Sequence, residues 1–325
     1  MIKRVQSRAF ANIALCKYWG KIPGPGNLPA TSSISLALDK LMTVTVATAL
    51  SKGPDKFYID EKQVDPQSRA RLTAYLDVWR RHKYLEGYYK IESVNSFPTA
   101  SGLASSASGY AALTTALSGF AAKSICTKGL TRLSRMGSGS SARSITGGLS
   151  KIAKAKNPCS ELILPPEKIP WGMVVAIVDS GKKEIGSMRG MELSRRNSPY
   201  FDDWLKQSAK DYRAMLRAVV NMDFTSVGEI CEANALAMHA CMIATRPALV
   251  YWSDATVILI RTAERLRRKG LENYCTIDAG PHVAFLARRE DLPRLRRRIS
   301  KVFGVKKALE CYPAGDANIL DIEYD

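Results

Sequence analysis

The chain has 325 residues, 46% hydrophobic and 24% charged, with a formal net charge of +18. That length suits two domain-sized units or one large two-lobed fold, and the composition excludes disorder as the expected state. No apolar run approaches the roughly 18–20 residues of a spanning helix. Near the start, Lys17 and Lys21 interrupt the short apolar patch, so neither a signal peptide nor membrane attachment is expected. Seven cysteines, odd in number and without CxxC spacing, read as thiols in a reducing cytoplasm rather than as disulfides or zinc ligands. The positive excess directs attention to nucleic acid, a membrane surface or small polyanionic substrates.

Taken in chain order, "KLMTVTVATAL" (40–50) alternates and is rich in β-branched residues, which predicts a strand. "DKFYID" (55–60) follows Gly53-Pro54, and together they read as a hairpin turn with a partner strand. Apolar spacing makes "RARLTAYLDVWRRH" (69–82) a helix, and "GYYKIESVNS" (87–96) reads as a strand. "FPTASGLASSASGYAAL" (97–113) passes from a loop of small and hydroxyl residues into a helix. "LTRLSRMGSGSSARSITGG" (130–148) is a short basic helix followed by a second Gly/Ser cluster. Pro158, Pro165, Pro166 and Pro170 mark a loop-rich passage, taken as the boundary between units 1–168 and 169–325.

Beyond it, "WGMVVAIVD" (171–179) is a buried strand, and helical stretches cover 202–222, 227–242 and 248–270. "NYCTIDAG" and "PHVAFLARR" (273–289) form two strands around a Gly-Pro turn, with a basic helix after them. Strands and helices mix without strict βαβ alternation, so an α+β two-lobed architecture is expected rather than a doubly wound one. "RLRRKG" (265–270) and "RLRRRISK" (294–301) keep apolar residues at helical intervals. They read first as solvated faces of amphipathic helices.

Four stretches carry candidate chemistry. In the first, 97–113, Ser, Thr and Gly at a helix entrance leave N–H groups facing outward where the helix dipole favours an anion. A structural cap and a phosphate loop fit these residues alike. The second, "GSGSSAR" (137–143), repeats the donors and adds Arg143, whose planar fork suits a carboxylate or phosphate. The third, "NIALCKYWGK" (12–21), ends with two ammonium groups and a phenol, or with ordinary snorkelling lysines. The fourth, "TIDAGPH" (276–282), places Asp278 at a strand end as a turn-former or as a base in a cleft.

In order and separation, these stretches, with "LPATSSISLAL" and the "NALAMHA" helix, resemble the diphosphomevalonate decarboxylases of the GHMP kinase superfamily. The resemblance runs from about Asn12 to Gly280-Pro281. It implies a first lobe like ribosomal protein S5 domain 2 and a ferredoxin-like second lobe. It also implies an ATP-phosphate loop of Ser101, Gly102, Leu103, Ser105, Ser106 and Ser108, with Ser93 on the nucleotide side and Ser106 near Mg²⁺. By the same resemblance Asp278 meets the substrate 3-hydroxyl, Arg143 holds the substrate carboxylate with Asn12 fixing the guanidinium, and Lys17 lies near the reacting phosphoryl group. Tyr18, Lys21, Ser138, Gly139, Ser140 and Ser187 line the pocket for the substrate's phosphates. The chain departs from the family pattern at Ser96, at 149–161, at Met188 and at His282.

These residue types suit phosphorylation of a tertiary alcohol followed by loss of phosphate and CO₂, since phosphoryl transfer is mainly positioning and charge stabilisation. The implied partner is a phosphorylated hydroxy acid, with ATP and Mg²⁺, in the cytoplasm, and family members are often homodimers. Two alternatives stay within the superfamily: a kinase without decarboxylation, and a decarboxylase of the monophosphate. A third, of another class, is a basic polyanion-binding protein on an inactive scaffold. Specific nucleic-acid binding is not expected.

Overall fold

The computed structural model describes residues 2–97, 105–178 and 185–325. The first sheet is built on two long strands, β1 (Ile2–Cys16) and β2 (Ser33–Leu50), paired antiparallel along most of their length. β2 forks: its second half pairs with β5 (Tyr88–Asn95), and its first four residues pair with β6 (Leu149–Ile152). β3 (Lys56–Ile59) and β4 (Lys62–Gln63) extend the β5 edge, β7 (Ser160–Leu164) extends β6, and β12 (Asn318–Tyr324) covers β1.

The hairpin expected between 40–50 and 55–60 does not form, because β5 lies between β2 and β3. β3 instead runs parallel to β5. A parallel neighbour needs a crossover rather than a tight turn, and helix α1 (Pro66–Arg81) supplies it. Asp65 caps α1 by accepting from the N–H groups of Gln67 and Ser68. α2 (Ser105–Phe120), α3 (Thr127–Gly137) and the short α4 (Ser141–Thr146) follow. α1 and α2 cover the sheet through Trp79, Leu113 and Leu117 against Val5, Ala47 and Ile91. The passage marked by Pro158, Pro165, Pro166 and Pro170, expected to be loop-rich, holds β7, which pairs with β6 in a hairpin.

The second sheet has the order β11-β8-β10-β9, all antiparallel, with β8 (Trp171–Val178) central beside β9 (Tyr274–Thr276), β10 (Val283–Arg288) and β11 (Val305–Cys311). Every residue of β8 is buried. Successive side chains in a strand point to opposite faces, and the two faces of β8 enter different cores. Trp171, Met173 and Val175 join Ile34 and Leu36 of the first sheet. Val174, Ala176 and Val178 pack under α8 (Asp254–Arg268) and α9 (Leu292–Ile299). An unbroken apolar run is what a strand covered on both faces requires. The remaining helices are α5 (Ser187–Asn197), α6 (Phe201–Val220) and α7 (Phe224–Ile243). α6 and α7 complete the core between the sheets with Met215, Val219, Phe224 and Val227. The result is the mixed α+β, two-sheet architecture that the element pattern implies.

Gly147 ends α4 at φ +53°, and a Cβ there would stand 2.2 Å from the backbone of Gly315. Gly148 donates to Ala314 O and accepts from Ala37 N, so the junction ties α4 to β2 and to the segment before β12. Gly147→Ala is expected to destabilise the fold by about 3 kcal/mol through backbone strain and overpacking. Gly315→Ala, where a Cβ meets nothing within 4 Å, should shift stability by no more than about 0.5 kcal/mol. Urea midpoints of the two variants check the difference.

Candidate active site

The site starts where β1 stops. Lys17 follows the strand, and its side chain is 1% exposed. Burying an ammonium is costly unless it is paired and hydrogen-bonded. Here Nζ donates to Asp278 Oδ1 at 2.7 Å and to Ala14 O at 2.9 Å. Asp278 follows β9, so the pair joins an end of one sheet to an end of the other, and its carboxylate keeps about a third of its surface open. α7 positions both partners. Asn234 Oδ1 accepts from the Lys17 backbone N–H, and Asn234 Nδ2 donates to Asp211. His239 Nε2 lies 2.8 Å from the Asp278 carbonyl. Burial, reinforced by Lys17, pulls the His239 pKa down to about 4, so the ring is neutral at pH 7 and donates that bond.

Arg143 reaches the same space from α4 and is 1% exposed. Its Nε donates to Ser35 Oγ at 2.7 Å, and a second nitrogen donates to Ser33 Oγ. Burial pulls its pKa down to about 10 and the Asp278 carboxylate opposes that shift, which leaves it cationic at neutral pH. The expected Asn12–Arg143 contact is replaced by these two serines of β2. Asn12 instead donates to Ser144 Oγ at 2.7 Å and to Ser140 O at 3.1 Å, because α4 begins directly over it. Its buried Oδ1 has no partner among the described residues.

The two Gly/Ser loops meet. Ser106 Oγ lies 3.3 Å from Ser138 Oγ, which lies 3.4 Å from Ser140 Oγ, a row of hydroxyls from the start of α2 to the start of α4. Gly139 makes room for the neighbouring phenol, since a Cβ there would fall 2.3 Å from Tyr18 Oη. Tyr18 Oη donates to Asn27 O, Lys21 Nζ donates to Asn27 Oδ1 at 2.6 Å, and Asn27 Nδ2 donates to the carbonyls of Arg135 and Met136. Burial pushes the Tyr18 phenol well above its usual pKa. Burial, with Arg71 nearby, pulls the Lys21 ammonium down to about 8.

One cleft of about 560 Å³ is lined by Asn12, Lys17, Tyr18, Lys21, Ser105, Ser106, Ser138, Gly139, Ser140, Arg143, Ser187 and Asp278. Every expected substrate-side and catalytic residue is among them. An adjoining slot of about 200 Å³ shares Arg71, Ser105 and Ser106 with the cleft, and its further lining includes Phe57, Tyr58, Leu72, Tyr110, Ser93 and Asn95. Ser108 lines neither. It is fully buried and bonded to Thr43 Oγ1 at 2.7 Å, so it joins α2 to β2 instead of facing a nucleotide. Ser101, Gly102 and Leu103 lie outside the described residues. Residue type and spacing do not single out Arg71, Asn27, Ser33 and Ser35, nor give roles to Asn234 and His239. The last two are the only polar residues of "NALAMHA", and that pattern was their one available signal. Among the described residues, no three His, Cys, Asp or Glu side chains converge on a metal position.

The arrangement is a carboxylate paired to a buried ammonium, facing a serine-held guanidinium, beside hydroxyl and ammonium donors suited to phosphate. Comparison with known proteins agrees with that chemistry. The family model described as diphosphomevalonate decarboxylase-like N-terminal domain matches residues 9–162, and that of the mevalonate 5-diphosphate decarboxylase C-terminal domain matches 173–322. Diphosphomevalonate decarboxylase of Saccharomyces cerevisiae is 30% identical over 90% of this chain and 80% of its own length. That of Schizosaccharomyces pombe is 32% identical over 83% and 75%. Mevalonate diphosphate decarboxylase from Staphylococcus aureus superposes with a TM-score of 0.92 at 31% identity, covering 99% of each chain. The Enterococcus faecalis enzyme superposes at 0.91 and 31%, over 99% of this chain and 100% of that one. A complex described as MDDEF with MVAPP, AMPPCP and magnesium reaches 0.92 at 32% identity, over 99% and 100% of the two chains. With both halves matched in order and the charged constellation assembled in one cleft, the chain belongs to the diphosphomevalonate decarboxylase family.

Proposed function

We propose that the chain converts mevalonate 5-diphosphate and ATP into isopentenyl diphosphate, CO₂, ADP and phosphate, in the cytoplasm. The observation that carries this reading is the Lys17–Asp278 pair facing Arg143 across one cleft. Asp278 accepts the hydrogen bond of the substrate 3-hydroxyl and takes its proton as that oxygen attacks the γ-phosphorus. Lys17 holds the carboxylate in place and offsets charge on the moving phosphoryl group. When the 3-phosphate departs, positive charge develops at C3. Arg143 keeps the substrate carboxylate in position until the C–C bond breaks, CO₂ leaves and the alkene forms.

Tyr18, Lys21, Ser138, Gly139, Ser140 and Ser187 receive the substrate's diphosphate. Asn12 lines the same cleft, its amide nitrogen held by Ser144 and Ser140. The first turn of α2, with Ser105 and Ser106, receives the nucleotide phosphates, and the apolar slot beside it takes the base. Magnesium binds chiefly through phosphate oxygens and water, with few protein ligands. Ser106, at the start of the hydroxyl row, fits that sparse demand, and the bound ion would neutralise charge on the transferring group. We also read 1–168 and 169–325 as the two functional lobes, with β12 of the second returning to complete the first sheet. The seven unpaired cysteines accord with a reducing compartment.

Parallel assays of ADP and CO₂ release with mevalonate, its 5-phosphate and its 5-diphosphate test the reading. Matching ADP and CO₂ from the diphosphate alone is expected, and ADP without CO₂ would refute it. Asp278→Asn should lower kcat by at least about 10³-fold while nucleotide affinity, read by calorimetry, stays within about twofold. Arg143→Lys should cost at least about 10²-fold in kcat/KM, since a point charge cannot replace a planar fork.

The Lys21 ammonium is charged below pH about 8 and neutral above it. Therefore kcat/KM for the diphosphate should fall as pH rises through about 8, and Lys21→Arg should remove that inflection. A profile identical in the two proteins would show that the Lys21 ammonium does not set the pH dependence.

A further inference from the structure

Between α8 and α9 lies a third cleft, of about 480 Å³, that shares no lining residue with the catalytic cleft or the slot. Both helices rest on the same face of the second sheet, α8 through Leu259 and Ala263 and α9 through Leu292, Leu295 and Ile299. Their adjoining edges bring five cations to one place: Arg265 and Lys269 from one side, Arg294, Arg298 and Lys301 from the other. No carboxylate lines the cleft among the described residues, and none of the five belongs to an ion pair. Arginines nearby that do have carboxylate partners lie outside it. Arg267 pairs with Glu232, Arg268 with Glu264 and Arg296 with Glu310.

Ordinary solvated helix faces would spread their charges outward. Here five like charges converge on a concavity, an arrangement that is unfavourable until an anion enters. The segment 254–307 holds 14 Lys and Arg against 6 Asp and Glu, so 8 of the chain's 18 net positive charges lie in this one stretch. The rest of the lining is Thr262 and five apolar residues, Ile258, Leu266, Leu271, Val302 and Phe303. Phe303 is 82% exposed, more than any other large hydrophobic side chain among the described residues.

We propose that this cleft binds a phosphorylated amphiphile, a soluble molecule with a diphosphate head and an apolar chain. Three guanidinium forks and two ammonium groups suit the phosphates, and the aliphatic side chains with Phe303 suit the chain. The volume lies within the range of about 300–1,000 Å³ of small-molecule sites. Single-stranded nucleic acid wants a succession of aromatic platforms, and Phe303 is the one aromatic side chain in the lining.

The test is calorimetry of the full chain with geranyl diphosphate, a ten-carbon alkenyl diphosphate, and with inorganic diphosphate as the head alone. Titrations are run with mevalonate 5-diphosphate present in excess and again without it. Geranyl diphosphate should bind in both cases, at least tenfold more weakly to Arg294→Ala/Arg298→Ala, with thermal melting of the variant unchanged. Phe303→Ala should bring its affinity close to that of inorganic diphosphate. Equal binding by wild type and the double variant would overturn the proposal, as would equal affinity of wild type for the two diphosphates. Failure of geranyl diphosphate to bind would also overturn it. If that failure accompanied retention of a 20-base-pair duplex or of phosphatidylserine vesicles, lost in the double variant, the cleft would belong to a nucleic acid or a membrane surface instead. The decarboxylation assay does not enter this test, so failure of one reading is distinguishable from failure of the other.

Discussion

The ion pair between Lys17 and Asp278 is the constraint around which the molecule is arranged. The ammonium has given up nearly all its hydration, and a buried charge without a partner is a severe liability. The fold answers with a carboxylate from the other sheet, a carbonyl of β1 and an amide from α7 on the lysine's own backbone. Each answer comes from a different element, so correct placement of the lysine requires both sheets and the helix between them. The carboxylate remains partly open toward the cleft, which leaves it able to meet a ligand.

Around that pair the site is assembled from short side chains. Ser33 and Ser35 hold the guanidinium, Ser144 holds Asn12, and Ser138 and Ser140 extend the hydroxyl row, all at low conformational cost, since a hydroxyl on one carbon loses little rotamer freedom on ordering. Asn27 does comparable work for the phenol and the second lysine. At φ +52° it occupies the left-handed region that asparagine tolerates better than most residues. From there it joins Tyr18, Lys21 and the end of α3 in one network. A cleft that gathers so many donors, and keeps several cations close together, is prepared for an anion before any arrives.

Much of this was legible in the residues. The strand at 171–178, the helices at 69–82 and 202–222 and the basic helices near the end follow from periodicity, which reports which faces are buried. The two Gly/Ser clusters and the aspartate at the strand end could be picked out because their residue types suit anions and turns. Pairing partners were not legible. Nothing local says that 55–60 should sit beside 88–95 rather than 40–50, because the choice depends on a helix crossing between them. Nor could local sequence reveal that Ser33 and Ser35 brace Arg143, more than a hundred positions away. Ser108 shows the opposite failure, a hydroxyl in a suggestive motif whose place in the helix turns it onto the sheet.

β12 has a consequence for how the protein is made. Arg8 on β1 reaches Asn318 on β12 across 310 positions of sequence. During synthesis the outer edge of β1 therefore emerges long before the strand that will cover it. For that interval it presents unpaired N–H and C=O groups to any passing strand. Contacts of such separation slow folding and lengthen exposure. Lys3, Arg4 and Arg8 of "IKRVQSRAF" then have a second merit, since charge along an open edge discourages association with another chain until the late strand docks.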